Sequence, residues 1–186
     1  MIKIAGEGVW PKTPGDIWFS SDANDLRLRM KTFTQSNVDT HTGDTNWTDV
    51  TNGSFTLSAN GGAVLGIVFK AELKTSQAGQ NANATIKISG TNLGDRYMTL
   101  RELQSYDTGS RSDNTRSVVI NTSEDAVLIT DATSNQDMAA NAWFPVPLSD
   151  DTTTFQIRFK IDDANETVTI DEMEVIVVYT KVIAED

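Results

Sequence analysis

Apolar and polar residues alternate with a period of two along most of this chain, and runs of Gly, Asn, Asp, Ser and Thr interrupt the alternation every 8 to 12 residues. A strand with one covered face produces that alternation, and the polar runs are turn chemistry. Almost nothing reads as helix. The longest clear strand is Ala63 to Thr75, with Leu65, Ile67, Phe69, Ala71 and Leu73 on the core face. Its other face starts apolar at Val64, Gly66 and Val68 and ends charged at Lys70, Glu72 and Lys74. Another element or subunit is therefore expected to cover its first half. Ala82 to Gly90 returns as a hairpin partner.

Further strands are expected over 97–103, 116–120, 126–130, 154–161 and 167–182, the last with a bulge near Asp171 to Met173. Asp131 to Asn141 reads as a polar loop, as do Thr34 to Thr45 and Tyr106 to Thr115. Ala142 to Leu148 is extended, but Pro145 and Pro147 cannot donate to a ladder, so it belongs on an edge or in an arm. About eight strands after Ser54 predict an all-β fold, an antiparallel β-sandwich of the jelly-roll type. The sandwich is expected over 46–186, and residues 1–45 form an N-terminal arm and hairpin.

That hairpin lies in PGDIWFSSDANDLRLRMK, Pro14 to Lys31. Ile17 to Phe19 form one strand and Ser20 to Asp25 the turn. Leu26 to Met30 alternate apolar and basic, which places Leu26, Leu28 and Met30 on a buried face.

The 186 residues suit one domain, and a hydrophobic fraction of 38% can fill its core. There is no cysteine, which removes disulfides, thiolate nucleophiles and cysteine metal sites. No apolar run reaches the length of a membrane span, and MIKIAGEGVWPKTPGD lacks the apolar stretch of a secretory signal. A net charge of −11 repels phosphate backbones and anionic lipids, so neither nucleic acid nor membrane insertion is expected.

Candidate chemistry is sparse. His41, the only histidine, lies in the polar run VDTHTGDT and is expected to be solvated. The acidic pairs Glu124-Asp125, Asp150-Asp151 and Asp162-Asp163 read as turn formers that bond their own backbone. Converging loop carboxylates leave a Ca²⁺ ion as the one cofactor open; none is expected, and no metal ligands are assigned. A glycosidase needs two facing carboxylates; Glu72, Glu102, Glu172 and Glu174 read instead as exposed strand charges. Five Asn-X-Ser/Thr triplets fall within chance in a chain so rich in Asn and Thr. No catalytic residue is assigned. Trp47, Tyr106 and Trp143 border loops and are candidates for glycan contact, as in a carbohydrate-binding module or lectin.

The same segment, through Gly15, Asp16, Ile17, Trp18, Phe19, Asn24, Leu26, Arg27, Leu28 and Arg29, resembles hairpins of bacteriophage tail fibres and other phage appendage proteins. GGAVLGIVFKAELK followed by NATIKISGTN looks like paired strands of a viral jelly roll or fibre head. The resemblance implies a non-enzymatic structural protein on the virion surface, a homo-oligomer and by expectation a trimer. About a dozen residues precede the hairpin, which favours a small capsid decoration, head-fibre or knob protein over a long fibre. Val9, Trp10, Ile17, Trp18 and Phe19 are then the expected attachment or oligomer contacts, against a capsid or tail protein. The projecting sandwich offers its loops, in some cases to a host glycan.

Overall fold

The computed structural model describes residues 19–21, 24–43, 45–58, 63–90, 93–102, 116–149 and 152–184. They form β1 (Phe19–Ser21), β2 (Asn24–Gln35), β3 (Asp39–Thr42), β4 (Thr48–Ser58), β5 (Ala63–Thr75) and β6 (Ala82–Gly90). The chain continues through β7 (Arg96–Glu102), β8 (Arg116–Asn121), β9 (Leu128–Thr130), β10 (Gln136–Ser149), β11 (Thr152–Ile161) and β12 (Thr167–Ala184). One sheet, A, has the order β1-β2-β12-β5-β10, with β3 also on β12. The other, B, has the order β4-β11-β6-β7-β8, with β9 on β6. All pairings are antiparallel.

Four consecutive strands of each path, β2-β12-β5-β10 and β4-β11-β6-β7, are a jelly roll. Numbered by themselves along the chain, these eight strands run 1-8-3-6 and 2-7-4-5, so consecutive strands alternate between sheets except at the β6–β7 hairpin, as in two Greek keys. The expected fold class is the observed one.

Between the sheets, Phe155, Ile157, Phe159 and Ile161 of β11 meet Ile67, Phe69 and Leu73 of β5 and Val168, Ile170, Met173, Val175 and Val177 of β12, all buried. The core positions of β12 switch from even to odd numbers between Ile170 and Met173. There the ladder slips by one residue, from Asp171↔Glu72 to Glu174↔Lys70, and Glu172 takes a positive φ of 44°. An extra residue in one strand reverses the side-chain alternation beyond it. This is the bulge expected near Asp171. On its other edge β12 changes partner at the same point, from β3 to β2.

Several local expectations are corrected. Thr34 to Thr45 holds the end of β2 and all of β3, because Asp39 to Thr42 pair with Thr167 to Ile170. Gln136 to Asn141 is the first half of β10 rather than loop; Ala140 packs inward opposite Phe69. In β5 a second register shift at Leu65 turns Val64 into the core, so Val64 does not share the outer face with Gly66 and Val68. The hairpin ladder continues through Ser20↔Asp25 and Ser21↔Asn24, inside the segment expected to be turn. Pro145 and Pro147 do lie on the end strand of the sheet, where the β10–β5 register is interrupted between Trp143 and Leu148.

The largest correction concerns β2. Leu28 and Met30 are 67% and 68% exposed. Their register explains it: Phe33 sits opposite core-facing Val175, and Lys31 opposite Val177, so Met30 opposite Val178 must point away from the core. Directly opposed residues share a sheet face, and the register assigns the faces. Phe33 stacks on Phe55 with ring centroids 4.8 Å apart, and Phe55 stacks on buried Phe155 at 4.8 Å. Lys31 Nζ donates to the carbonyl of Thr56 at 3.0 Å. These contacts close the open side of the sandwich between the edge of sheet A and β4.

Candidate functional site

The outer face of sheet A gathers the exposed apolar residues. One cross-strand row runs Met30, Val178, Gly66, Trp143 over β2, β12, β5 and β10. The next row is Thr32, Ile176, Val68, Asn141. Leu28 lies beyond the first row, opposite Thr180, whose hydroxyl accepts the Ala63 N–H at 2.9 Å. Trp143 is 64% exposed, yet its ring covers Gly66 so closely that a Cβ there would stand 2.5 Å from Trp143 Cε3. Gly66 is what lets the indole lie flat on the sheet. Three of the four large, highly exposed hydrophobic side chains among the described residues, Leu28, Met30 and Trp143, share this face; Val38 is the fourth.

Four positions along the strands, the face becomes charged. A shallow depression beside the β12 bulge is lined by Lys70, Glu72, Asp137, Ala139, Glu172 and Glu174 among others. Lys70 Nζ pairs with Glu174 Oε2 at 2.5 Å, and Asn135 Nδ2 donates to Glu72. Glu72, Glu172 and Glu174, weighed above as strand charges, do converge here. Each of Glu72 and Glu174 already has a partner.

Sheet B carries a different surface. Arg158 is forked between Asp49 (Nε to Oδ1, 2.6 Å), Glu124 and the Trp47 carbonyl (2.8 Å). Lys160 Nζ lies 5.2 Å from the Trp47 ring centroid, a cation–π contact. Lys87 pairs with Asp95 at 2.8 Å; that hydrogen bond raises its pKa above the ordinary lysine value, against the opposing pull of burial.

Trp47 precedes β4 of sheet B and Trp143 lies in β10 of sheet A, and they form no common site. Tyr106, Val9, Trp10, Ile17 and Trp18 lie outside the described residues; Phe19 pairs with Leu26 in the hairpin ladder. His41 is in β3, not in a solvated loop: its Nε2 is 3.2 Å from the Thr48 hydroxyl and its ring tilts against Phe159 at 5.8 Å. It has been recruited into the packing between β3 and β11. Asp162 accepts bonds from Asn81 and Asn83, and Asp163 from Asn165, as turn-forming side chains do. Asp150 and Asp151 are outside the described residues. No group of three His, Cys, Asp or Glu among the described residues is placed to hold a metal ion.

Leu28 and Met30 were not expected to be exposed. The available signal was the apolar start of the outward face of β5, which called for a cover; Trp143 supplies part of it.

No family model matches the chain, and no curated protein matches it. Among solved structures it is similar to a chain in the structure of infectious bursal disease virus Gx strain, at 14% identity and a TM-score of 0.40, over 84% of this chain and 37% of that one. A second similarity is to a chain of the same virus, Gt strain, at 12% identity and a TM-score of 0.31, over 94% of this chain and 41% of that one. The chain thus spans well under half the length of these viral chains. Scores and identities of this size assign it neither a family nor a function.

Proposed function

We propose that this chain is a non-enzymatic structural protein of a bacteriophage virion, a capsid decoration, head-fibre or tail-appendage protein. Its N-terminal segment anchors it, through Val9, Trp10, Ile17, Trp18 and Phe19, to a capsid or tail protein. Its jelly roll projects from the virion surface as a homo-oligomer, a trimer by expectation. The observation that carries this is the apolar row on the outer face of sheet A. A contiguous apolar surface is what association uses. The phage-like hairpin residues support the same conclusion, and jelly rolls are a common architecture of capsid domains.

The test is co-sedimentation with particles of the virus that encodes the chain. Deleting residues 1–14 should abolish particle binding while the far-UV circular dichroism stays that of a β-sandwich. Unchanged binding would overturn the anchoring role, and absence of the full chain from purified particles would overturn the virion assignment.

A second reading, a carbohydrate-binding jelly roll, is favoured by Trp143 alone, an indole face laid open on a sheet beside Asn141. A glycan array run with and without Ca²⁺ should then give hits that Trp143→Ala removes.

A further inference from the structure

We propose that Asn52 is a site of spontaneous covalent modification, losing its side-chain nitrogen as ammonia through a cyclic imide formed with Gly53. The proposal goes beyond the virion role and does not rest on it.

Asn52 lies where β4 leaves its ladder. Ser54 pairs with Gln156 and Asp49 with Arg158, so Val50 to Gly53 stand against Ile157 alone. Such an excursion is a bulge, here in the end strand of sheet B. Asn52 takes a positive φ of 56°, which Asn tolerates better than most residues, and it is exposed. Gly53 is covered by Val50. A Cβ at Gly53 would stand 2.9 Å from Val50 Cβ and 3.0 Å from the Val50 carbonyl oxygen. The bulge therefore demands glycine directly after Asn52.

That pair of residues has its own chemistry. The Gly53 nitrogen attacks Asn52 Cγ. The new N–Cγ bond forms as the Cγ–Nδ2 bond breaks, and the Gly53 amide proton leaves with Nδ2 as ammonia. Water then opens the ring, at Cγ to give aspartate or at the Asn52 backbone carbonyl to give isoaspartate. A residue with a Cβ after Asn hinders the attack, and glycine does not. Both products place a carboxylate one residue from the Thr51 N–H, which Asp39 Oδ2 accepts at 2.6 Å. Isoaspartate also lengthens the β4 backbone by a methylene.

Other asparagines are placed differently. Asn81 and Asn83 donate Nδ2 to Asp162, Asn165 to Asp163 and Asn135 to Glu72, while Asn121 Oδ1 accepts the Thr122 N–H. Each of these amides is held by a partner, and each is followed by a residue with a side chain. Asn52 combines exposure, a following glycine and the lack of a ladder partner on β11. The second Asn-Gly step, Asn60-Gly61, lies outside the described residues.

The experiment incubates the full chain in mildly alkaline buffer, native and in urea, and follows each Asn by peptide mapping with fragment-ion assignment. In the native chain Asn52 should lose its amide at least tenfold faster than Asn121 or Asn165. Its rate should fall within tenfold of its own rate in the urea-unfolded chain. The product should be a mixture of aspartate and isoaspartate. Asn52→Gly, which keeps a residue suited to positive φ, should abolish that product and retain the circular dichroism.

A native Asn52 that reacts no faster than Asn121 overturns the proposal, as does one protected more than tenfold relative to the unfolded chain, because the bulge then shields the site. Aspartate without isoaspartate overturns the imide route. All of this is read on the isolated chain, so failure of the virion role and failure of this proposal are distinguishable.

Discussion

Trp143 lies across Gly66, its directly opposed residue on the neighbouring strand, with no room for a Cβ between indole and backbone. Gly66→Ala should therefore lift the ring off the sheet. The indole is exposed and has somewhere to go, so the cost should be about 1 kcal/mol, at the low end for overpacking. Trp143→Ala removes the obstacle. The double variant should cost less than the sum of the two, by at least about 0.5 kcal/mol in a urea double-mutant cycle. Strict additivity would show that the contact carries no energy.

The Phe33–Phe55–Phe155 stack is graded in burial, from half-buried at the outer pair to fully buried at Phe155. Phe155→Ala should cost about 3–5 kcal/mol as a core cavity. Phe33→Leu should cost much less, and its coupling to Phe55→Leu should be roughly 0.5–1.5 kcal/mol. Equal losses at Phe33 and Phe155 would mean that the seam is as essential as the core.

The two best-placed ion pairs should behave differently. Arg158 is mostly covered and serves two carboxylates and a carbonyl, so Arg158→Met strands a largely covered Glu124. The expected loss is roughly 1.5–3 kcal/mol, in the range for hydrogen bonds to charged groups. Lys70 is half exposed, and Lys70→Met should cost under about 1 kcal/mol. Chemical denaturation at constant slope separates them; similar midpoint shifts would contradict the ranking.

Lys87 gives a pH signature. Its pKa in the folded chain is raised above the unfolded value of 10.5, chiefly by the hydrogen bond to Asp95. The ammonium form is thus favoured by folding. Its contribution is complete below 10.5 and fades as pH rises through the higher folded value. Both partners are partly exposed, so it amounts to no more than about 1 kcal/mol. The stability difference between wild type and Lys87→Met should be present at neutral pH and shrink in the alkaline range above 10.5. A difference that persists there would assign it to packing of the lysine stem.

Much of the architecture was legible from alternation alone. Phe155, Ile157, Phe159 and Ile161 declare one face of β11, and the break in period near Asp171 declares the β12 bulge, because an inserted residue has to appear as a phase change. Period two separates the faces of a strand but does not say which one is covered. The sequence therefore determined that Leu28 and Met30 share a face opposite Arg29 and Lys31. Only the pairing of β2 with β12, which commits Phe33 to the core beside Val175, decided that the apolar face looks outward. His41 was undecidable for the same reason: a short polar strand such as DTHT has no apolar rhythm, and only β12 beside it makes it a strand. The outer-face row exists because four strands distant in the chain, at Met30, Val178, Gly66 and Trp143, are brought into register. Register is a property of the folded sheet, set by turns, bulges and the shared core, and no single strand carries it.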